Sequence, residues 1–233
     1  MLASTAPLVD LPRPLGPVDQ PRLERAVREM LLAIGEDPER EGLLDTPARV
    51  ARSWSELFAG LRDEPGRHLA RTFAAESDDL VSLRDIEFSS FCEHHLLPVF
   101  GRAHIAYLPS GRRVVGLSKL ARTVEVYARR PQLQERFTAQ VADALMEHLA
   151  PRGVLVVVEA EHMCMKMRGV RKEWPVMTTI AHRGELSHDR EQRAEVLALL
   201  GFGGSAAPRR DARPRAGATE GPSDSPTRPL HLV

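Results

Sequence analysis

The sequence predicts an α+β domain: an antiparallel four-stranded sheet with two helices on one face, preceded by an N-terminal helical segment. Three observations carry that prediction. Apolar residues recur at helical spacing between residues 20 and 62, and again between 116 and 150. Two short β-rich runs precede the second helical stretch and two more follow it. The order strand-strand-helix-helix-strand-strand suits helices layered over an antiparallel sheet rather than alternating βαβ units.

Residues 1–19 are proline-rich without periodicity and predict a disordered lead. In "PRLERAVREMLLAIG", Leu23, Val27, Met30, Leu31 and Ile34 fall on one helical stripe, and Gly35 ends it. "DTPARVARSWSELFAGL" opens a second helix, with Thr46 expected as N-cap, Pro47 in its first turn and an apolar face of Val50, Trp54, Leu57, Phe58 and Leu61. These helices form a segment over 20–65, and the main domain is expected over 66–202. "DIEFSSF" (85–91) and "FGRAHIAYL" (100–108) read as strands joined by "CEHHLLP". Two helices follow, one lined by Leu120, Val124 and Tyr127, the other by Leu133, Phe137, Val141, Leu145 and Leu149. "GVLVVVEAEHMCMKM" (153–167) reads as one long strand with "WPVMTTIA" as its partner, and "DREQRAEVLALLG" as a last helix capped by Gly201. Residues 203–233 are rich in Pro, Gly, Ser and Arg and predict a disordered tail.

Within the 233 residues, Lys+Arg and Asp+Glu balance at 32 each, so no global field draws the chain to nucleic acid or to a membrane. No apolar run reaches the ~20 residues of a membrane span, and the N-terminus lacks a signal-peptide pattern. Cys92 and Cys164 are the two cysteines, and each stands near histidine. That favours a shared metal in a reducing cytoplasm over a disulfide.

The stretch "FCEHHLLPVFG" (91–101) holds the densest chemistry. Cys92 and His95 have the C-x-x-H spacing that lets two side chains reach one metal. On a strand through residue 168, His162, Cys164, Lys166 and Arg168 share one face by period-two alternation. Cys92, His95 and Cys164 then offer two sulfurs and one nitrogen, with a fourth corner open. That is the shell of a catalytic zinc, which lowers the pKa of bound water to ~7. His94 and His162 remain beside it as imidazoles suited to proton transfer near neutral pH. The competing reading makes Cys164 a buried apolar thiol and the histidines ordinary hydrogen-bonded groups.

"GLSKLAR" (116–122) opens a helix, with Ser118 expected as its N-cap and Lys119 and Arg122 adding charge to a helix start that already attracts anions. With Arg168 this cluster suits a polyphosphate; alone, it reads sooner as a solvated basic helix start. In "RPQLQERF" (130–137), Gln134 and Glu135 stand in a helix's first turn. The dipole explains a carboxylate there, and recognition of a guanine edge is the alternative.

Together "LLDTPARV", "FCEHHLLPVFG", "GLSKLAR", "RPQLQER" and "HMCMKMRGVR" resemble GTP cyclohydrolase I, the first enzyme of pterin and folate synthesis, over roughly residues 21–200. The resemblance implies the T-fold, in which small antiparallel sheets of several subunits join into a barrel, and a decamer with active sites at subunit boundaries. It implies zinc on Cys92, His95 and Cys164, proton transfer by His94 and His162, and guanine held by Glu135 with Gln134 beside it. Ser118, Lys119, Arg122 and Arg168 would face the triphosphate of GTP, as would Arg49 from a neighbouring subunit. The chemistry implied is water addition at C8, ring opening, loss of formate and closure to 7,8-dihydroneopterin triphosphate. Trp174, Ala181 and Met163 depart from the family's pattern. A zinc nucleoside deaminase is the competing enzyme, but its H-x-E and C-x-x-C pair are missing. A GTP-binding scaffold without turnover is the non-enzymatic alternative.

Overall fold

Backbone pairing past residue 80 decides the architecture. In the computed structural model, which describes residues 16–203, strands β2 (Val81–Cys92), β3 (Pro98–Leu108), β6 (Gly153–His162) and β7 (Met177–Gly184) pair antiparallel in that order. This is the expected four-stranded sheet. The short β5 (Pro131–Gln132) adds a fifth, parallel strand against Phe91 and Cys92. A separate ribbon joins β1 (Thr72–Ala74) to β4 (Arg113–Val115); β1 carries too little pattern to be read from sequence. The expected lead and tail lie outside the described residues, apart from 16–19 and Gly203.

Helices α4 (Leu117–Ala128) and α5 (Gln134–Leu149) cover one sheet face. Their Leu120, Val124, Phe137, Val141 and Leu145 bury against Phe88, Ile105, Tyr107, Val156 and Val158. Burial of this apolar face, at about 25 cal/mol per Å² removed from water, is what holds the layers together. A smaller core lies on the opposite face, where α7 (Glu185–His188) and α8 (Arg190–Leu199) set Leu186, Val196 and Leu200 against Ala106, Leu108, Leu155 and Val157. Gly201 follows α8 with φ +91°, the left-handed position a helix-ending glycine takes.

Helix α1 (Gln20–Ala33) pairs with α2 (Thr46–Leu57), after which come a 3-10 turn (Ala59–Arg62) and α3 (Pro65–Leu69). Of the predicted α1 stripe only Val27 is buried, while Met30 and Ile34 are exposed. Two caps differ from expectation. Asp45, not Thr46, caps α2, and Gly116, not Ser118, caps α4; Thr46 and Ser118 already lie inside the helices. No helix among the described residues is long and apolar enough to cross a membrane.

The largest correction concerns the strand predicted through residue 167. It ends at His162, and Met163–Lys166 form a short helix, α6. The cause is loss of partners. The β3 ladder stops at Val99 opposite His162, and β7 begins only opposite Ala160. Beyond these points an extended chain would leave backbone groups unpaired, whereas a helical turn bonds Met167 N–H to Met163 O at 2.9 Å.

Candidate active site

The C-terminal end of β2 and the end of β6 deliver the reactive residues to one place. Cys92 closes β2 and the chain reverses within five residues to enter β3. Cys92 N–H donates to Leu97 O at 2.9 Å, Leu96 N–H donates to Cys92 O at 2.8 Å, and Leu96 takes a positive φ of 53° to complete the turn. Cys92 is buried, while His94 and His95 project into solvent.

From the other side α6 brings Cys164 in from its helical turn, not from a strand face as the period-two reading had it. The ligand atoms of Cys92, His95 and Cys164 lie within 4.8 Å of one another. Burial pushes the Cys164 thiol up, and the Cys92 thiol beside it pushes the same way. Two soft sulfurs and one imidazole at this spacing match the donor set and reach of a tetrahedral zinc site with one corner left for a non-protein ligand. A bound divalent ion would reverse the thiol electrostatics, since coordinating thiols ionise.

Around this trio the neighbours are placed individually. His94 Nδ1 lies 3.9 Å from Cys92 Sγ, and the His94 and His95 rings meet edge to face. Arg168 Nη1 lies 2.8 Å from His95 Nε2; the guanidinium can only donate, so that nitrogen accepts. His162, the last residue of β6, is half-buried, and its Nε2 lies 2.8 Å from Gln134 Oε1. Burial lowers the His162 pKa below its usual value, and the nearby Glu135 carboxylate opposes that shift. Glu135 itself is exposed in the first turn of α5.

Other expected residues are not gathered here. Ser118, Lys119 and Arg122 sit on the first half of α4. That helix starts beside Tyr107, whose hydroxyl accepts from Val115 N–H at 3.2 Å, and Tyr107 pairs with Val81 at the far end of β2 from Cys92. The other end of α4 leads into β5, which pairs with Cys92. Twelve helical residues span about 18 Å, with Ser118 and Lys119 near the end of α4 remote from Cys92 and Arg122 midway along it. Arg49 is on α2, where it pairs with Asp45 at 3.0 Å. Of the three departures, Trp174 is 77% exposed, Ala181 is buried in the main core, and Met163 is half-buried at the start of α6.

Sequence reasoning missed one functional neighbour altogether. Glu93, inside the Cys-His turn, forms an ion pair with Arg136 of α5. Arg136 Nε also donates to Gln132 Oε1 at 3.2 Å, and Glu93 N–H donates to Gln132 O at 3.1 Å. The turn is thereby fastened to the helix start that carries Gln134 and Glu135. The pair is 43 residues apart in sequence, so no local pattern announces it.

A family model described as GTP cyclohydrolase I matches residues 23–201. The chain belongs to the GTP cyclohydrolase I family. A relative named GTP cyclohydrolase 1 in Rhodopirellula baltica is 59% identical over 192 residues, covering 82% of this chain and 83% of its own. Relatives of the same name in Thermobifida fusca and Carboxydothermus hydrogenoformans are each 58% identical over 184 residues, covering 89% and 96% of their own lengths. All the candidate residues from Arg49 to Arg168 fall within the span that matches the GTP cyclohydrolase I model, and Trp174, Ala181 and Met163 fall within it too.

Proposed function

We propose that the protein converts GTP and water to 7,8-dihydroneopterin triphosphate and formate, using zinc held by Cys92, His95 and Cys164. The observation that carries this reading is the convergence of those three ligand atoms within 4.8 Å, with two further imidazoles beside them in a GTP cyclohydrolase I chain. When bound, zinc supplies Lewis-acid activation of water at neutral pH.

The chain's own residues do the rest. Glu135, exposed beside His162, accepts hydrogen bonds from the N–H and NH₂ edge of guanine and so directs the imidazole half of the purine towards the metal. His162 lies on the purine side and delivers a proton to the ring nitrogen released when its bond to C8 breaks. His94 lies on the metal side, next to Cys92, and takes the proton that the attacking water loses. A second water releases C8 as formate, and one water leaves when the rearranged ribose carbonyl condenses with the freed amine. One water is consumed overall. Successive proton transfers at different atoms explain the need for two imidazoles. Arg168, whose guanidinium lies beside His95, would be free to turn towards the substrate phosphates once His95 holds the metal.

Ser118, Lys119 and Arg122 bind the triphosphate through the start of α4 and its dipole. Counted along α4 from its Cys92 end, Ser118 and Lys119 lie about 14–15 Å away and Arg122 about 9 Å away, towards the end remote from the same chain's metal residues. The reading therefore places them, with Arg49, in the site of a neighbouring subunit. A closed homo-oligomer, a decamer in this reading, also covers the long free edge of β7.

The deciding experiment incubates purified protein with GTP and measures formate and, after oxidation, pterin fluorescence. Both should appear in equal amounts. Ammonia without formate would mean a deaminase, and neither product with GTP still bound would mean a binding protein.

A further inference from the structure

Gln134 stands next to the guanine-binding Glu135 in sequence, and from that position a contact with the base is the natural expectation. The structure turns its side chain the other way. Gln134 is 5% exposed. Its Nε2 donates to Val158 O at 3.0 Å and Met177 O at 2.9 Å, with Thr179 Oγ1 at 3.2 Å. Two backbone carbonyls can only accept, so they determine which end of the amide is nitrogen. The oxygen is left facing His162 Nε2 at 2.8 Å. Thr138 Oγ1 bonds both Gln134 O at 2.7 Å and Thr179 Oγ1 at 2.6 Å, closing the network around the amide.

An amide oxygen only accepts, so the ring nitrogen opposite it must carry the hydrogen. From this we infer that Gln134 is a positioning residue that sets the rotation and tautomer of His162, holding hydrogen on Nε2 and presenting Nδ1 to the substrate. The consequence is directional. Nδ1 is the nitrogen that exchanges protons with the purine, while Nε2–H stays committed to the protein interior. The carbonyls that orient Gln134 belong to β6 and to the start of β7, so the sheet itself determines the histidine's reactive edge. A buried partner that orients an imidazole in this way is a recurrent device, whose removal costs about 10- to 100-fold in activity. The inference rests on the proposed role of His162 in GTP turnover.

The test replaces Gln134 by Met in the full chain, keeping side-chain length and removing both ends of the amide. Zinc per chain should be unchanged, KM for GTP should stay within about threefold, and kcat should fall about 10- to 100-fold. A rise in KM at unchanged kcat would place Gln134 on the guanine and overturn the inference, as would unchanged values of both. Neutron diffraction of the unsubstituted protein decides the matter independently of whether the variant folds. A deuteron on His162 Nε2 directed at Gln134 supports the assignment, and a bare Nε2 overturns it. Failure of the unsubstituted protein to release formate from GTP would instead defeat the functional reading while leaving the tautomer measurable.

Discussion

Separation of the basic cluster from the Cys-His-Cys trio makes a quantitative prediction about mixed oligomers. The perturbation is a pair of variants, each defective in one half of a shared site. His94→Ala removes a proposed proton carrier and should cost about 10²–10⁴-fold in turnover. Lys119→Ala combined with Arg122→Ala removes two of the proposed phosphate contacts, both charged. At about 1.5–3 kcal/mol each, their joint loss of about 3–6 kcal/mol corresponds to about 10²–10⁴-fold in kcat/KM. Either variant alone should therefore be nearly inactive. In the closed ring proposed above, each site would pair the metal half of one subunit with the phosphate half of the next. Co-expressed in equal amounts and assembled at random, the two chains should rebuild about one quarter of the sites with both halves intact. The assay is formate release from the co-purified mixture, compared with each variant purified separately and with the unsubstituted protein. Activity near a quarter of the unsubstituted level bears the geometry out. A mixture no more active than the average of its two parents would refute it, because both halves would then come from one chain.

Further predictions concern the metal and the sheet. Purified protein should hold about one zinc per chain, as a single three-ligand site requires, and Cys164→Ser should lose it; retention of stoichiometric metal would remove Cys164 from the ligand set. Gly101→Ala places a Cβ 2.3 Å from Glu159 O, 2.7 Å from Ala160 Cβ and 2.8 Å from Phe88 Cζ. Forcing β3 and β6 apart should cost about 1–3 kcal/mol and lower Tm by about 2–12 °C, and an unchanged Tm at matched protein concentration would contradict the close approach. Tyr107→Phe removes the hydroxyl that accepts from Val115 N–H inside the core. Leaving that donor unpaired should cost about 1–3 kcal/mol in a denaturant titration.

Elements with their own periodicity were legible in the sequence, and those made by pairing were not. The stripes of α4 and α5 are intrinsic to the chain, and the same residues form the main core. β1 and β5, at three and two residues, exist only because a partner strand is present. The end of β6 shows the same limit. Alternation continues in the letters through residue 168, but a strand needs neighbours, and β3 and β7 have already left the ladder. Cys164 reached the predicted metal site even so. A helical turn beginning at Met163 carries the next residue's side chain back towards Cys92, as the strand reading had required of an extended chain. Spacing thus identified which residues meet, and the path by which they meet depended on pairing that spacing does not encode. The position of Gln134 was hidden for a related reason: its partners Val158, Met177 and Thr179 lie 24 to 45 residues away.

The adjacency of four chemically active residues in "CEHH" follows from the turn that holds them. Cys92 is still a strand residue, buried on the core side of β2, so its sulfur is fixed by the sheet. Beyond it the chain must reverse before Pro98, and the hydrogen bonds between Cys92 and Leu96–Leu97 leave room for only a few residues at the apex. Those residues point in different directions. Glu93 turns to Arg136 and ties the apex to α5, His94 lies back along Cys92, and His95 reaches across towards Cys164. A longer loop would let His95 move relative to Cys92 and loosen the spacing of the three candidate ligands. A sheet-held sulfur and a helix-held carboxylate anchor the start of the turn. The two histidines that follow are thereby aimed differently, His94 towards Cys92 and His95 towards Cys164, which suits the separate roles proposed for them.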